Sequence, residues 1–123
     1  MANPNIVNVS SILGQTATAT LTTSSASIVS NSASSGTILK IGTIICSNID
    51  GSSNVDVSIA INSAAAGAGS DKFIAKTIVV PADSSLVVID KNSPFYLLED
   101  KSITALASAN SDCDITISYE IIS

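Results

Sequence analysis

The chain has 123 residues and a mass of 12.4 kDa, which is the size of one domain. Ten acidic residues and five lysines, with no arginine, give a net charge of −5, and only 3% of residues are aromatic. Nucleic-acid binding relies on clustered cations and stacking rings, so we expect no nucleic-acid partner. No apolar run approaches the ~18 residues of a membrane span, and the N-terminus lacks the features of a signal peptide. We therefore expect no membrane partner and synthesis in a cytoplasm.

The apolar residues are mostly of the kind that favours strands. The chain contains 18 Ile and 9 Val against 7 Leu, together with 33 Ser and Thr. β-Branched side chains are stiff at χ1 and pack well on a pleated surface, so this composition predicts an all-β protein.

Turn signals divide the chain into short candidate strands at the spacing of a sandwich or jelly roll. We predict a single antiparallel β-sandwich over residues 1–123, jelly-roll-like, with eight to nine short strands. Residues 1–35, which are rich in Ser, Thr and Ala, could instead form an N-terminal arm. The candidate strands are, in chain order, Ile6–Ser10, Thr16–Thr22, Ala26–Ser30, Thr37–Ser47, Asn54–Asn62, Lys72–Val80, Ser85–Asp90, Ser102–Ala109 and Cys113–Ile122.

Alternation of apolar and polar residues predicts which way the side chains point. In the fifth candidate strand Val55, Val57, Ile59 and Ile61 should face the core, and Asp56, Ser58 and Ala60 should face water. In the second, Ala17, Ala19 and Leu21 should face inward. In the last, the inward residues should be Cys113, Ile115, Ile117, Tyr119 and Ile121. The segment Asn62–Asp71, interrupted by Gly67 and Gly69, is interpreted as a flexible loop at the sandwich edge.

The residue types offer little to an enzyme. There is no histidine, and none of the 23 serines lies in a Gly-x-Ser-x-Gly motif. Asp50, Asn54 and Asp56 do not have the spacing of an EF-hand loop and are typical of a hairpin turn. The Gly-rich stretch Gly67–Ser70 has no following Lys-Ser or Lys-Thr and no helix to hold a phosphate. We predict no enzymatic activity and no catalytic, cofactor-binding or metal-binding residues.

The segment Pro94–Ile103 contains the one close-set polar cluster, with Glu99 and Asp100 beside Lys101. Adjacent residues on a strand face opposite sides, and nothing here would separate two carboxyl pKa values for acid–base work. We interpret Glu99–Ser102 as a solvated corner between two strands.

Cys46 and Cys113 allow two interpretations, a disulfide or a pair of buried free thiols. Cys113 falls in the inward register of the last strand and would act as a small core residue. A reducing cytoplasm favours the free thiols, but the sequence leaves both states open.

The segment Ala75–Ser123 resembles small β-sandwich virion proteins of tailed bacteriophages, especially phages of marine cyanobacteria. The resemblance lies in a Val-Pro-Ala turn at Val80–Ala82, a Leu-Val-Val strand, the run Lys91–Leu97, the acidic corner and a closing Ser-Tyr-Glu. The opening Asn3–Ser24 also fits. Such proteins typically have Glu-Gly-Asp at the corner, where the glycine adopts a positive φ. This chain has Glu99-Asp100-Lys101, so a left-handed Asp100 would mean that the turn is retained.

The resemblance implies a virion component made in a host cytoplasm, with other virion proteins (major capsid protein or tail components) as partners, and homo-oligomers. We expect a capsid decoration, or cement, protein on the outside of a phage head. A tail, neck or fibre-associated protein is the first alternative. A carbohydrate-binding module is the second, although Phe73, Phe95, Tyr96 and Tyr119 are few for sugar stacking.

Overall fold

The computed structural model describes residues 7–123, and in this range the chain is all β with no helix. The fold is a sandwich of two antiparallel sheets, as the sequence predicted. Its strands are β1 Ile12–Thr20, β2 Ala26–Asn31, β3 Ile38–Asn48, β4 Val55–Asn62, β5 Asp71–Val80, β6 Ser85–Ile89, β7 Phe95–Leu97, β8 Lys101–Ala107 and β9 Cys113–Ile122.

The strand order is that of a jelly roll, in which each sheet interleaves strands from the two halves of the chain. Sheet I has the order β1-β9-β3-β6, with β7 also pairing with β3, and sheet II has the order β2-β8-β4-β5. Strands adjacent in sequence thus fall in opposite sheets through most of the fold, as Greek-key connections require.

The core lies between the two sheets and is built mainly from β-branched side chains. Ile44 of β3 lies opposite Ile117 of β9 in sheet I, and both are fully buried. Val57 and Ile59 of β4 meet them from sheet II together with Ile103 of β8. The inward register predicted for β4 and β9 is confirmed at Val55, Val57, Ile59, Cys113, Ile115 and Ile117.

A bulge in β3 explains how a run that is apolar on both faces is placed. The register against β9 shifts between Ile41 and Thr43, so that Gly42 is the extra residue. Leu39 and Ile41 face the core before the bulge, and Ile44 and Cys46 face it afterwards. A bulge changes which residues of a strand point inward, and glycine is a common residue at such positions.

Two expectations about the N-terminal part need correction. Residues 7–10 are not a strand, and Ile6 lies outside the described residues. The N–H groups of Ser10 and Ser11 both donate to the Ser123 carbonyl (2.6 and 3.1 Å), and the Ser123 N–H donates to the Ser11 carbonyl (3.0 Å), so the contact made here is with the residue that follows β9. The arm alternative for residues 1–35 does not describe residues 12–31, because β1 pairs with β9 and β2 pairs with β8 inside the sheets.

The outer face of β4 is also not wet as predicted. Ser58 is 8% exposed and Ala60 is 1% exposed. The Ser58 hydroxyl accepts the backbone N–H of Thr77 (2.9 Å), which lies at an irregular point of β5 and has a φ of 53°. Alternation in the sequence indicates which residues of a strand face the core. It does not indicate that the distorted strand β5 covers part of the outer face of β4.

Candidate functional site

The acidic corner between β7 and β8 has a structural role. One carboxylate oxygen of Glu99 accepts the backbone N–H of Gly36 (3.0 Å), and Asp100 accepts the N–H of Ala65 at a longer 3.4 Å. The corner is therefore tied to two other loops, where we had predicted a merely solvated turn. Within residues 7–123 neither carboxylate forms an ion pair with Lys101.

Asp100 adopts a left-handed backbone conformation, with a φ of 58°. This is the left-handed conformation that the sequence analysis names for a corner turn that usually holds glycine. Aspartate tolerates this region better than most residues because its short polar side chain can hydrogen-bond locally. The aspartate thus adopts a backbone conformation that glycine adopts most readily.

We expect Asp100→Val to lower the free energy of unfolding by about 1–2 kcal/mol, because a β-branched side chain is strained at positive φ. Asp100→Gly should leave stability within about 0.5 kcal/mol, since relief of strain offsets the weak bond to Ala65. Urea unfolding measures both. Asp112→Val is the matched control, because Asp112 is a partly exposed aspartate in a bend and has no positive φ. Equal losses at positions 100 and 112 would contradict the turn assignment.

The segment Ser63–Ser70 packs over the outer face of sheet II. A Cβ added at Gly67 would lie 3.4 Å from both the Ser27 Cβ and the Thr104 Cγ2. The Ser102 hydroxyl donates to the Ala64 carbonyl (2.8 Å) from beneath. We had predicted a flexible loop at the sandwich edge, but hydrogen bonds hold this loop against the sheet. Its N–H groups at Gly67, Gly69 and Ser70 all bond within the loop or to Asn62, so they form no phosphate cradle.

Three buried asparagines, which the sequence analysis did not single out, end β2, β3 and β4. Asn31, Asn48 and Asn62 are each 3% exposed or less. Each amide NH2 donates to two acceptors, at least one of them a carbonyl of the following loop. Each amide oxygen accepts from the loop as well. A single signal could have identified them, namely an asparagine that closes an apolar strand before a Ser-rich turn.

The Asp50 segment is a turn, as predicted. Asp50 accepts hydrogen bonds from the backbone N–H and the hydroxyl of Ser52, both at 2.9 Å, and these lower the pKa of its carboxyl below the ordinary value. Asn54 is engaged elsewhere, since its side-chain oxygen accepts the N–H of Ala82. The oxygens of Asp50 and Asn54 therefore serve the turns of the chain itself.

Cys46 and Cys113 are neighbouring free thiols in the core, and both are fully buried. Cys46 lies opposite Ile115 and Cys113 lies opposite Asn48, so the thiols are diagonal neighbours on one face of sheet I. A hydrogen bond to the Cys113 sulfur and burial raise the pKa of Cys46 far above its ordinary value of 9.0. A thiol that stays protonated is a poor nucleophile, and neither thiol is reached by solvent, so we interpret the pair as core packing.

A groove of about 260 Å³ lies on the outer face of sheet I. Two lysines, a serine and a glutamate line part of it: Lys40, Lys91, Ser118 and Glu120. Within residues 7–123 no hydrogen bond joins Ser118 to either lysine. In the same range no three acidic or thiol groups cluster as a metal site would require, and no helix could span a membrane.

No protein-family model matches the chain, and no curated protein matches it. Among solved structures it is similar to a chain from the disulfide-linked pili that form Bacillus endospore appendages. The identity is 15%, the TM-score is 0.51, and the match covers 99% of this chain and 96% of that one. At this identity the likeness shows the fold alone, and it extends over the whole sandwich.

Proposed function

We propose that the chain is a non-enzymatic virion structural protein, a capsid decoration protein that binds the outside of a phage head and bridges neighbouring capsomers. The observation that carries the proposal is the β7–β8 corner. It turns through a left-handed Asp100 at the position where the phage proteins it resembles have glycine. The jelly-roll order is in keeping with this role by analogy, because viral capsid domains also use that architecture.

The surface chemistry supports a role in repeated assembly. Only 12% of residues are charged, and three of the five residues on the exposed face of β1 are threonines. Hydroxyls and amides are less costly to cover than charges, so such surfaces lose little free energy when a neighbouring subunit packs on them. A pilus subunit chain with the same fold is a further case of a sandwich used as a building unit.

A tail, neck or fibre-associated protein would use the same surfaces and remains the first alternative. A carbohydrate-binding module is less well supported by the placement of the aromatic rings. The exposed rings Phe73 and Tyr96 lie in different sheets, and Lys76 already stacks on Phe73 at 4.5 Å. Sugar platforms usually need exposed rings placed together.

Quantitative mass spectrometry of purified particles tests the proposal, with the major capsid protein as the internal standard. A decoration protein should be present at hundreds of copies per particle, because capsid symmetry repeats its site. A few copies per particle would instead place the chain in the neck or tail. Absence from particles would refute both virion assignments.

A further inference from the structure

The β1 edge of sheet I is the least protected strand edge of the described chain. β1 pairs with β9 through nine consecutive residues without a register shift, and its other side has no strand partner within residues 7–123. At ~3.4 Å per residue this edge is about 30 Å long. Such a straight row of unpaired N–H and C=O groups is a template for pairing with another strand.

The sequence of β1 contains none of the features that normally protect an edge. It reads ILGQTATAT, with no charge, no proline and no bulge. The other edges differ. β5 carries Lys72 and Lys76, and its pairing with β4 has two register shifts. β2 is six residues long and β6 is five, and the pairing of each with its neighbour has one register shift. β1 is thus the edge on which a continuous ladder can form.

We propose that β1 is a self-association edge, where β1 of a second copy of this chain pairs antiparallel and joins the two copies of sheet I into one continuous sheet. Two identical antiparallel strands are related by a twofold axis, so the contact closes at a dimer. When all nine residues pair, the twofold axis lies at Thr16, which faces the same threonine of the second copy in a favourable cross-strand pair, while Thr18 and Thr20 lie opposite Gly14 and Ile12 of that copy. Ile12 and Leu13, more than half exposed in one copy, become partly covered.

The sequence of the edge favours a second copy as the occupant, because ILGQTATAT has no charge that would need an opposite charge on its partner and threonine pairs well with threonine across strands. With a net charge of −5, two copies repel one another over most of their surfaces. The nearest acids to this edge are Asp114 and Glu120 on β9, opposite Thr20 and Gly14. In the paired sheet the two β9 strands are three strand spacings apart, ~14 Å, which exceeds the ~8 Å screening length at physiological salt. At this edge two copies therefore meet with little repulsion.

The proposal deepens the proposed function by naming one contact of the assembly, but its test uses the isolated full-length chain. Sedimentation equilibrium should give a mass about twice 12.4 kDa at high concentration. The double variant Thr16→Lys/Thr18→Lys places two like charges at the twofold axis and two more beside it, and it should raise the dimer Kd at least tenfold. Val87→Lys is the matched control, since Val87 is 56% exposed on the opposite edge of the same sheet. It should leave the dimer Kd within twofold.

Hydrogen exchange of unmodified protein gives a second measurement that does not depend on the folding of a variant. Amides of residues 12–20 should exchange at least tenfold more slowly above the dimer Kd than below it, while β5 amides should not change. A monomer at all concentrations, a dimer insensitive to the lysines in β1, or open-ended oligomers would overturn the proposal. None of these would affect the virion assignment, which the particle copy number decides separately.

Discussion

Asn62→Asp should lower the free energy of unfolding by about 3 kcal/mol at pH 7. The Asn62 amide NH2 donates to an Asp71 carboxylate oxygen at 2.7 Å and to the Gly69 carbonyl at 3.1 Å, and the side chain is 1% exposed. The substitution replaces a donor to a carboxylate with a second carboxylate of nearly the same shape. It leaves a buried carboxylate facing the partly buried carboxylate of Asp71, which costs more than the loss of one hydrogen bond.

The pH dependence of this loss has a definite sign. Two carboxyl groups at hydrogen-bond distance cannot both ionise without repulsion, so the introduced group has a folded-state pKa above its unfolded value of about 3.9. Its penalty is therefore small below pH ~4 and grows as the pH rises through the folded-state pKa. The difference in stability from the unmodified chain, measured by urea unfolding, should be larger at pH 7 than at pH 4.

Asn92→Asp is the matched control, because it makes the same chemical change and adds the same charge in an exposed turn. It should alter stability by no more than about 0.5 kcal/mol. A loss at position 62 that is equally small, or that shrinks as the pH rises from 4 to 7, would mean that Asn62 does not hold the Ser63–Ser70 loop through Asp71.

The native protein should react with an aromatic disulfide reagent at least 1,000-fold more slowly than the denatured protein, which should release two thiols. The reagent needs a thiolate, and both thiols lie in the core, where burial and the Cys113 contact raise the pKa of Cys46. Fast reaction of the native protein would contradict the core placement. A mass 2 Da lower, with no thiols on denaturation, would show a disulfide instead.

The same pKa shift predicts alkaline destabilisation. The folded-state pKa of Cys46 is raised, so its contribution to stability is complete below the ordinary value of 9.0. Above that pH the unfolded thiol ionises first, and stability falls by up to ~1.4 kcal/mol per pH unit for this one group. In Cys46→Val the free energy of unfolding should fall less steeply between pH 9 and 10.5, by up to ~1.4 kcal/mol per pH unit. An unchanged pH dependence would mean that tyrosines or lysines, and not Cys46, cause the loss of stability at alkaline pH.

The core was predictable because its physics is local. Alternation in β4 and β9 identified the inward face at Val57, Ile59, Ile115 and Ile117, since a half-buried strand must repeat every two residues. The strand-rich composition and regular turn spacing were enough for the sandwich class. In β3, by contrast, apolar residues on both faces gave no register, and only the bulge at Gly42 decides which of them reach the core.

The features that the sequence did not reveal depend on contacts distant in the chain. Ser58 and Ala60 read as solvent-facing because alternation contains no information about what covers the second face of a sheet. Asn62 read as part of a polar turn, because asparagine is common in turns and its burial depends on a loop that folds back over β8. The N–H groups that donate to Glu99 and Asp100 likewise belong to other loops. From the sequence alone, these carboxylates therefore could not be distinguished from carboxylates that face only solvent.

We propose that this jelly roll serves as a repeated structural unit of a virion. A symmetric reconstruction of purified particles at a resolution that separates the two sheets tests it most directly. We expect densities of this sandwich at symmetry-related positions on the outside of the head, each touching more than one capsomer. A head surface without such density, in particles that contain the chain, would contradict the decoration assignment and place the protein in the tail or neck.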